Sequence, residues 1–164
     1  MKNGFTLVET LIYLAIVGTV LISFVSFGLQ ISEIRQKNYA KIEVQSNAKS
    51  IFHWLEIKLK NAKIITNPTP GNTSSGLISF KNDEAGNEFN FMLDGDNLYY
   101  TRDTGEKIKL NSNSVRISNF NLTNLGQAGK DSLMIGFNIA YNGAIEAEKM
   151  AYEDIFRTAL TLNP

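Results

Sequence analysis

The sequence predicts an α+β chain: a long N-terminal helix, apolar in its first half and amphipathic in its second, followed by an antiparallel β-sheet head. Three observations predict it. Residues 5–29 form an apolar run that holds a single charge, Glu9. Beyond it, apolar residues recur at spacings of three and four, the pattern of a helix with one buried face. From residue 77 onward, short strand-like runs alternate with turn signals built from Gly, Asn and Asp.

The apolar run is long enough to cross a membrane. At about 1.5 Å per residue, 25 helical residues span about 37 Å, against a hydrocarbon core of about 30 Å. An ordinary secretory signal has a shorter apolar core followed by a small-residue cleavage site, and residues 23–28 (Ser-Phe-Val-Ser-Phe-Gly) fit that poorly. Glu9 needs a separate reason. A charged side chain at the centre of a membrane helix costs about 2.5–3.5 kcal/mol, and less near an end, so an acid in such a run points to function. The apolar segment offers no cation nearby. A cut between Gly4 and Phe5 would create one, a new α-amino group four residues from Glu9, and in an oligomer that amine could pair with the Glu9 of a neighbour.

The stretch Lys2-Asn3-Gly4-Phe5-Thr6-Leu7-Val8-Glu9-Thr10-Leu11-Ile12 resembles the cleavage and methylation motif of type IV prepilins and type II secretion pseudopilins. The resemblance covers the first sixth of the chain. It implies a pilin-like lollipop fold and four segments: a leader at 1–4, a transmembrane and filament-core helix at 5–29, an amphipathic stalk helix at 30–66 and a β head at 67–164. It implies cleavage between Gly4 and Phe5 by a membrane peptidase that also N-methylates Phe5. Glu9 and Thr6 are then the assembly residues, Glu9 neutralising a neighbouring N-terminus. The implied partners are that peptidase/methyltransferase, other pilin or pseudopilin subunits, an inner-membrane assembly platform and the lipid bilayer.

In this family the head lies outside the cytoplasm. A count of flanking cations (Lys2 before the run; Arg35, Lys37 and Lys41 after it) would by itself place the C-terminal side inside; the leader motif implies the opposite and is the more specific signal. Many major pilins carry a helix-kinking proline where Ser26 stands. Without it, Gly18 is the remaining helix-weakening residue, at about 1 kcal/mol relative to Ala. It serves either as a point of local melting or as a site of close helix packing.

The helix continues past the apolar run. Ile31, Ile34, Val44, Ala48, Ile51, Leu55, Leu59 and Ala62 form its stripe, thinned between Ile34 and Val44. His53 has no metal-ligand neighbours at helical spacing other than Glu56, so it reads as a packed or surface histidine. Trp54 reads as core or interface filler. The turn-rich stretch from Asn67 to Gly76 ends the helix and begins the sheet. The predicted strands are residues 77–81, 88–93, 97–102, 107–110, 115–122, 133–141 and 155–162, with hairpin turns at Asp94-Gly95 and Thr104-Gly105. They are read as one meander laid on the helix. Phe91-Met92-Leu93-Asp94-Gly95-Asp96-Asn97-Leu98-Tyr99-Tyr100, with Asn113-Ser114-Val115-Arg116-Ile117 and Phe156-Arg157-Thr158, looks like the head of minor subunits of the J type. That likeness favours a minor subunit.

Charge and composition exclude several functions. Sixteen basic residues balance sixteen acidic ones, which removes the overall field a nucleic-acid-binding chain would show. A basic stalk, with seven cations and three acids between residues 30 and 63, precedes an acidic head, with eight cations and twelve acids from residue 81 onward. There is no cysteine, hence no disulfide or thiolate chemistry. Asp83, Glu84 and Glu88, and Asp94, Asp96 and Asp103, form acidic clusters, and some pseudopilin heads bind calcium through such loops. Neither spacing matches an EF-hand, so both read as solvated turns. No phosphate-binding loop or nucleophile motif appears. The sequence therefore predicts no catalytic residue, no cofactor and no metal site. The expectation is a structural subunit of a type IV pilus, competence pilus or type II secretion pseudopilus; the alternative is a single-pass membrane-anchored extracellular binding module.

Overall fold

The computed structural model describes residues 6–82, 86–102, 105–126, 132–142 and 152–161. One helix, α1 (Leu7–Lys60), precedes nine strands. The chain divides into two units, Met1–Tyr39 and Ala40–Pro164.

In the first unit α1 is exposed on every face. Leu14 (76%), Ile22 (70%), Phe24 (70%) and Leu29 (68%) show how completely its large apolar side chains remain uncovered. A helix that is apolar all round is stable only in an apolar surrounding, whether lipid or other helices.

In the second unit the same helix has one buried stripe, Ala40, Val44, Ala48, Ile51, Leu55 and Leu59. Their spacings of four and three place them on a single face. Lys58 and Lys60 occupy the last turn, where the helix dipole favours cations, and Lys60 Nζ meets Glu56 at 2.6 Å. The helix stops at Lys60, two residues short of the Ala62 expected from the periodicity, although Ala62 is buried. Ile64-Ile65-Thr66 is a β-branched run better suited to a pleated strand than to a helical turn. It forms β1 (Ile64–Asn67), where the expected segment bounds carried the stalk helix on to residue 66.

The strands make two antiparallel sheets where the sequence suggested one meander. The first has the order β1-β3-β4-β5-β6, adding β3 (Leu77–Lys81), β4 (Glu88–Asp94), β5 (Asn97–Arg102) and β6 (Lys107–Lys109). The second has the order β2-β7-β8-β9, from β2 (Thr73–Ser75), β7 (Val115–Asn124), β8 (Ser132–Tyr141) and β9 (Glu153–Thr161). Asp94 pairs with Asn97, so the β4–β5 loop is Gly95-Asp96. Only Gly95 has positive φ (+58°), as a type II′ hairpin turn requires at its first central residue.

The division into two sheets falls after β6. Buried Asn111 accepts from Leu98 N–H (2.9 Å) and donates to the Val115 carbonyl (3.0 Å), tying β5 to the start of β7. From there β7 pairs with β2 and β8.

Helix and sheets share one core. Phe52 of α1 packs at a tilt against Phe137 of β8, ring centres 4.9 Å apart, while Trp54 lies 6.0 Å from Tyr100 of β5. Asn47 Oδ1 accepts the Ser112 N–H at 2.8 Å. Phe80, Phe91, Phe120 and Phe137 are each essentially inaccessible, and each contributes about 1.5–3 kcal/mol by burial. Among the described residues every buried side-chain nitrogen and oxygen has a hydrogen-bond partner.

Candidate anchoring and assembly segment

The functional residues expected from the sequence lie at the start of α1. Gly4 and Phe5, the expected cleavage pair and methylation site, lie outside the described residues. Thr6 and Glu9 are described, and the structure brings them together. Thr6 is the N-cap: its Oγ1 accepts from Glu9 N–H at 3.3 Å, and its carbonyl accepts from Glu9 N–H at 3.1 Å and Thr10 N–H at 3.2 Å. Thr-x-x-Glu is the capping-box spacing, in which the cap side chain satisfies one of the four orphan N–H groups of a helix start. Sequence reasoning took Thr6 only from the family motif. The local signal that would have found its role was that spacing.

The cap gives Glu9 a second reason to exist. An acid in the first turn faces the positive end of the helix dipole, worth about 0.3–1 kcal/mol. That is less than the cost of about 2.5–3.5 kcal/mol for a charge deep in hydrocarbon. Capping therefore accounts for an acid at a wet or interfacial helix start, and a cation is still required if Glu9 enters an apolar surrounding. The cap engages the backbone N–H of Glu9. Among the described residues no hydrogen bond or ion pair occupies its exposed carboxylate.

Further along, the helix satisfies its own polar groups. Thr10 Oγ1 donates to the Leu7 carbonyl (2.8 Å), Thr19 Oγ1 to Ala15 (2.9 Å) and Ser23 Oγ to Thr19 (2.9 Å). These bonds let hydroxyls sit in an apolar run without unsatisfied donors. The helix is continuous through Gly18 and Ser26. Among the described residues, and apart from the helix's own nearby backbone, nothing comes within 4 Å of a Cβ built at Gly18, so their packing places no demand for glycine there. Among the described residues one helix is long and apolar enough to cross a membrane, none of its apolar window being buried.

The other candidates take ordinary roles. His53 is exposed. Trp54 is half-buried against Tyr100, with Lys58 Nζ 5.5 Å from its ring centre, and so fills the edge of the core. Glu88 accepts from Thr66 Oγ1 at 2.7 Å, and Asp94 lies 3.7 Å from Lys107 Nζ. Asp83, Glu84 and Asp103 lie outside the described residues. Among the described residues no His, Asp and Glu side chains gather into a set able to hold a metal ion.

Residues 1–25 match the family model of the prokaryotic N-terminal methylation motif. No curated protein and no solved structure matches the chain. The motif match supports the resemblance to type IV prepilins and pseudopilins, and the long apolar helix behind it fits a single-pass membrane anchor.

Proposed function

We propose that this chain is the precursor of a structural, minor pilin or pseudopilin subunit that enters a type IV pilus, competence pilus or type II secretion pseudopilus. The observation that carries this reading is an apolar helix, matched at its start by the methylation motif, whose one acid lies near the expected cut with no ion-pair partner among the described residues. A membrane peptidase hydrolyses the Gly4–Phe5 amide with water, and a sulfonium methyl donor then methylates the new amine of Phe5, its S–CH3 bond breaking to leave a thioether as the amine gives up a proton. The methylated amine remains a cation and pairs with Glu9 of a neighbouring subunit, while Thr6 holds the first turn in helical form. Before assembly the helix is anchored in the inner membrane with the head outside the cytoplasm, and an assembly platform draws it into the filament. The chain is a substrate of the peptidase and performs no catalysis of its own.

Intact mass of the membrane-extracted protein tests the reading. The expected mass lacks residues 1–4 and gains one methyl group; a full-length, unmodified chain refutes it. Glu9→Gln sharpens the assembly claim, because glutamine also serves in a capping box while carrying no charge. The variant is expected to insert and be cut normally yet enter filaments poorly. Normal incorporation would favour the second reading, a membrane-anchored extracellular binding module, to which the concave polar face on β7 and β8 lends a surface.

A further inference from the structure

The second sheet has two unlike faces. Its inner face carries Leu133, Ile135, Phe137 and Ile139 into the core shared with α1. Its outer face holds a trough of about 630 Å³, within the range of about 300–1,000 Å³ usual for small-molecule sites.

Three local features make the trough. In β7 the register shifts between Ser118 and Asn121, and Asn119 adopts φ +52°, a left-handed conformation that asparagine tolerates better than most residues. In β8 the central residue of the face is Gly136, which pairs with Asn121 on one side and Arg157 on the other. A Cβ built at Gly136 would lie 3.5 Å from Arg157 Cγ, so the stem of the arginine already borders the open floor. Met134 and Asn138, two residues either way along β8, close the ends.

The chemistry of these walls is specific. Among the described residues no hydrogen bond or ion pair engages the Arg157 guanidinium, a planar fork suited to a carboxylate. The Asn121 amide offers a donor and an acceptor. Asn138 Nδ2 donates to Glu153 at 3.2 Å, which holds the amide in place and leaves its oxygen to accept. Paired donors and acceptors of this kind suit hydroxyl groups. Two alternatives fit less well. A phosphate dianion would want several cations or free backbone N–H groups, but among the described residues only one cation lines the trough and the strands beneath it are paired on both sides of β8. An extended peptide would add to the outer edge of β9, not over the floor at Gly136, whose strand is paired on both sides.

We propose that this trough binds an acidic saccharide, with a uronate-type carboxylate on Arg157 and ring hydroxyls on Asn121 and Asn138. The site does not depend on filament assembly, and processed and unprocessed chains bind alike.

The test is a calorimetric titration of the full chain in detergent micelles with a defined trigalacturonate, compared with neutral galactotriose. Saturable binding of the acid is expected, at least tenfold tighter than that of the neutral sugar. Arg157→Gln should weaken trigalacturonate at least tenfold and leave galactotriose unchanged, and Asn121→Leu should weaken both sugars. Arg157 is exposed, so the thermal unfolding of Arg157→Gln should match the parent. The double variant Lys107→Gln, Lys109→Gln on the other sheet should bind like the parent. The proposal is overturned by any of the following: no saturable binding, equal binding of the two sugars, equal loss in the lysine variant, displacement by equimolar inorganic phosphate, or tighter binding of a peptide bearing a free C-terminal carboxylate.

Discussion

Two halves of one helix meet the same problem, what to do with apolar side chains, in opposite ways. Before residue 40, Leu14, Ile22 and Leu29 are largely exposed; beyond it, Val44, Ile51 and Leu55 are wholly buried in the core shared with the strands. Helix propensity does not distinguish the halves, since both are continuous α-helix. The distribution of polar residues does. Up to Leu29 the first half is apolar on every side, whereas the second buries one apolar stripe and leaves Ile42 and Ile57 exposed among Lys41, Lys49 and Lys60. One half must therefore be buried by something else, and the other folds within its own chain.

The largest test of this contrast is removal of residues 1–29. The remaining chain should move from the membrane fraction to the soluble fraction and keep the thermal transition of its sheets; loss of that transition would show that the head depends on the apolar half. Next comes a matched pair of truncations. Leu55→Ala should cost about 2–5 kcal/mol of head stability through lost transfer energy and a residual cavity, read from the urea midpoint, while Leu14→Ala should leave that midpoint unchanged. A smaller effect is expected at the cap. Thr6→Val should cost about 1 kcal/mol of helix-start stability, seen as faster amide hydrogen exchange at Glu9 with no change in the sheets.

The smallest effect lies at the other end of α1. The hydrogen bond and the charge of Lys60 hold the Glu56 carboxyl below its ordinary range. The stability gained from that pair is present above the ordinary carboxylate range and is lost as pH falls through the depressed folded value. Both side chains are about half exposed, so the effect is slight and salt-sensitive. The protection of the Leu59 and Lys60 amides, measured against their intrinsic exchange rates, should fall in acid, and Glu56→Gln should abolish that dependence.

Much of this was legible in advance because the chain repeats its signals. All seven strand-like runs of the sequence recur as strands, since alternation and Gly-containing turns marked each one; Leu77–Lys81 and Asn97–Arg102 have the expected bounds. The strands that escaped notice, β1 and β2, lack such marks. Thr73-Ser74-Ser75 is polar and three residues long, and it becomes a strand only because β7 lies beside it. The division into two sheets was hidden for a related reason. It depends on Asn111, whose buried bonds reach residues 13 positions back and four ahead, and no local pattern announces such a contact. At the N-terminus, Glu9 was legible as an anomaly in an apolar run, whereas the capping role of Thr6 needed the geometry. The trough on the second sheet left almost no trace, because Asn121, Gly136 and Arg157 converge only through strand pairing.

Asn111 also bears on how the head comes apart. A strand that slips by one residue turns its whole apolar set outward, and a sheet standing alone bears that penalty alone. Here one amide grips β5 and β7 together, so a slip in either sheet would also break bonds fixing the other and strand a buried polar group, at a cost of about 1–3 kcal/mol. The two sheets thus check each other's alignment. In a head without a covalent crosslink, Asn111 joins backbone bonds such as Ile117 N–H to the Asp96 carbonyl (2.9 Å) in tying the two sheets together.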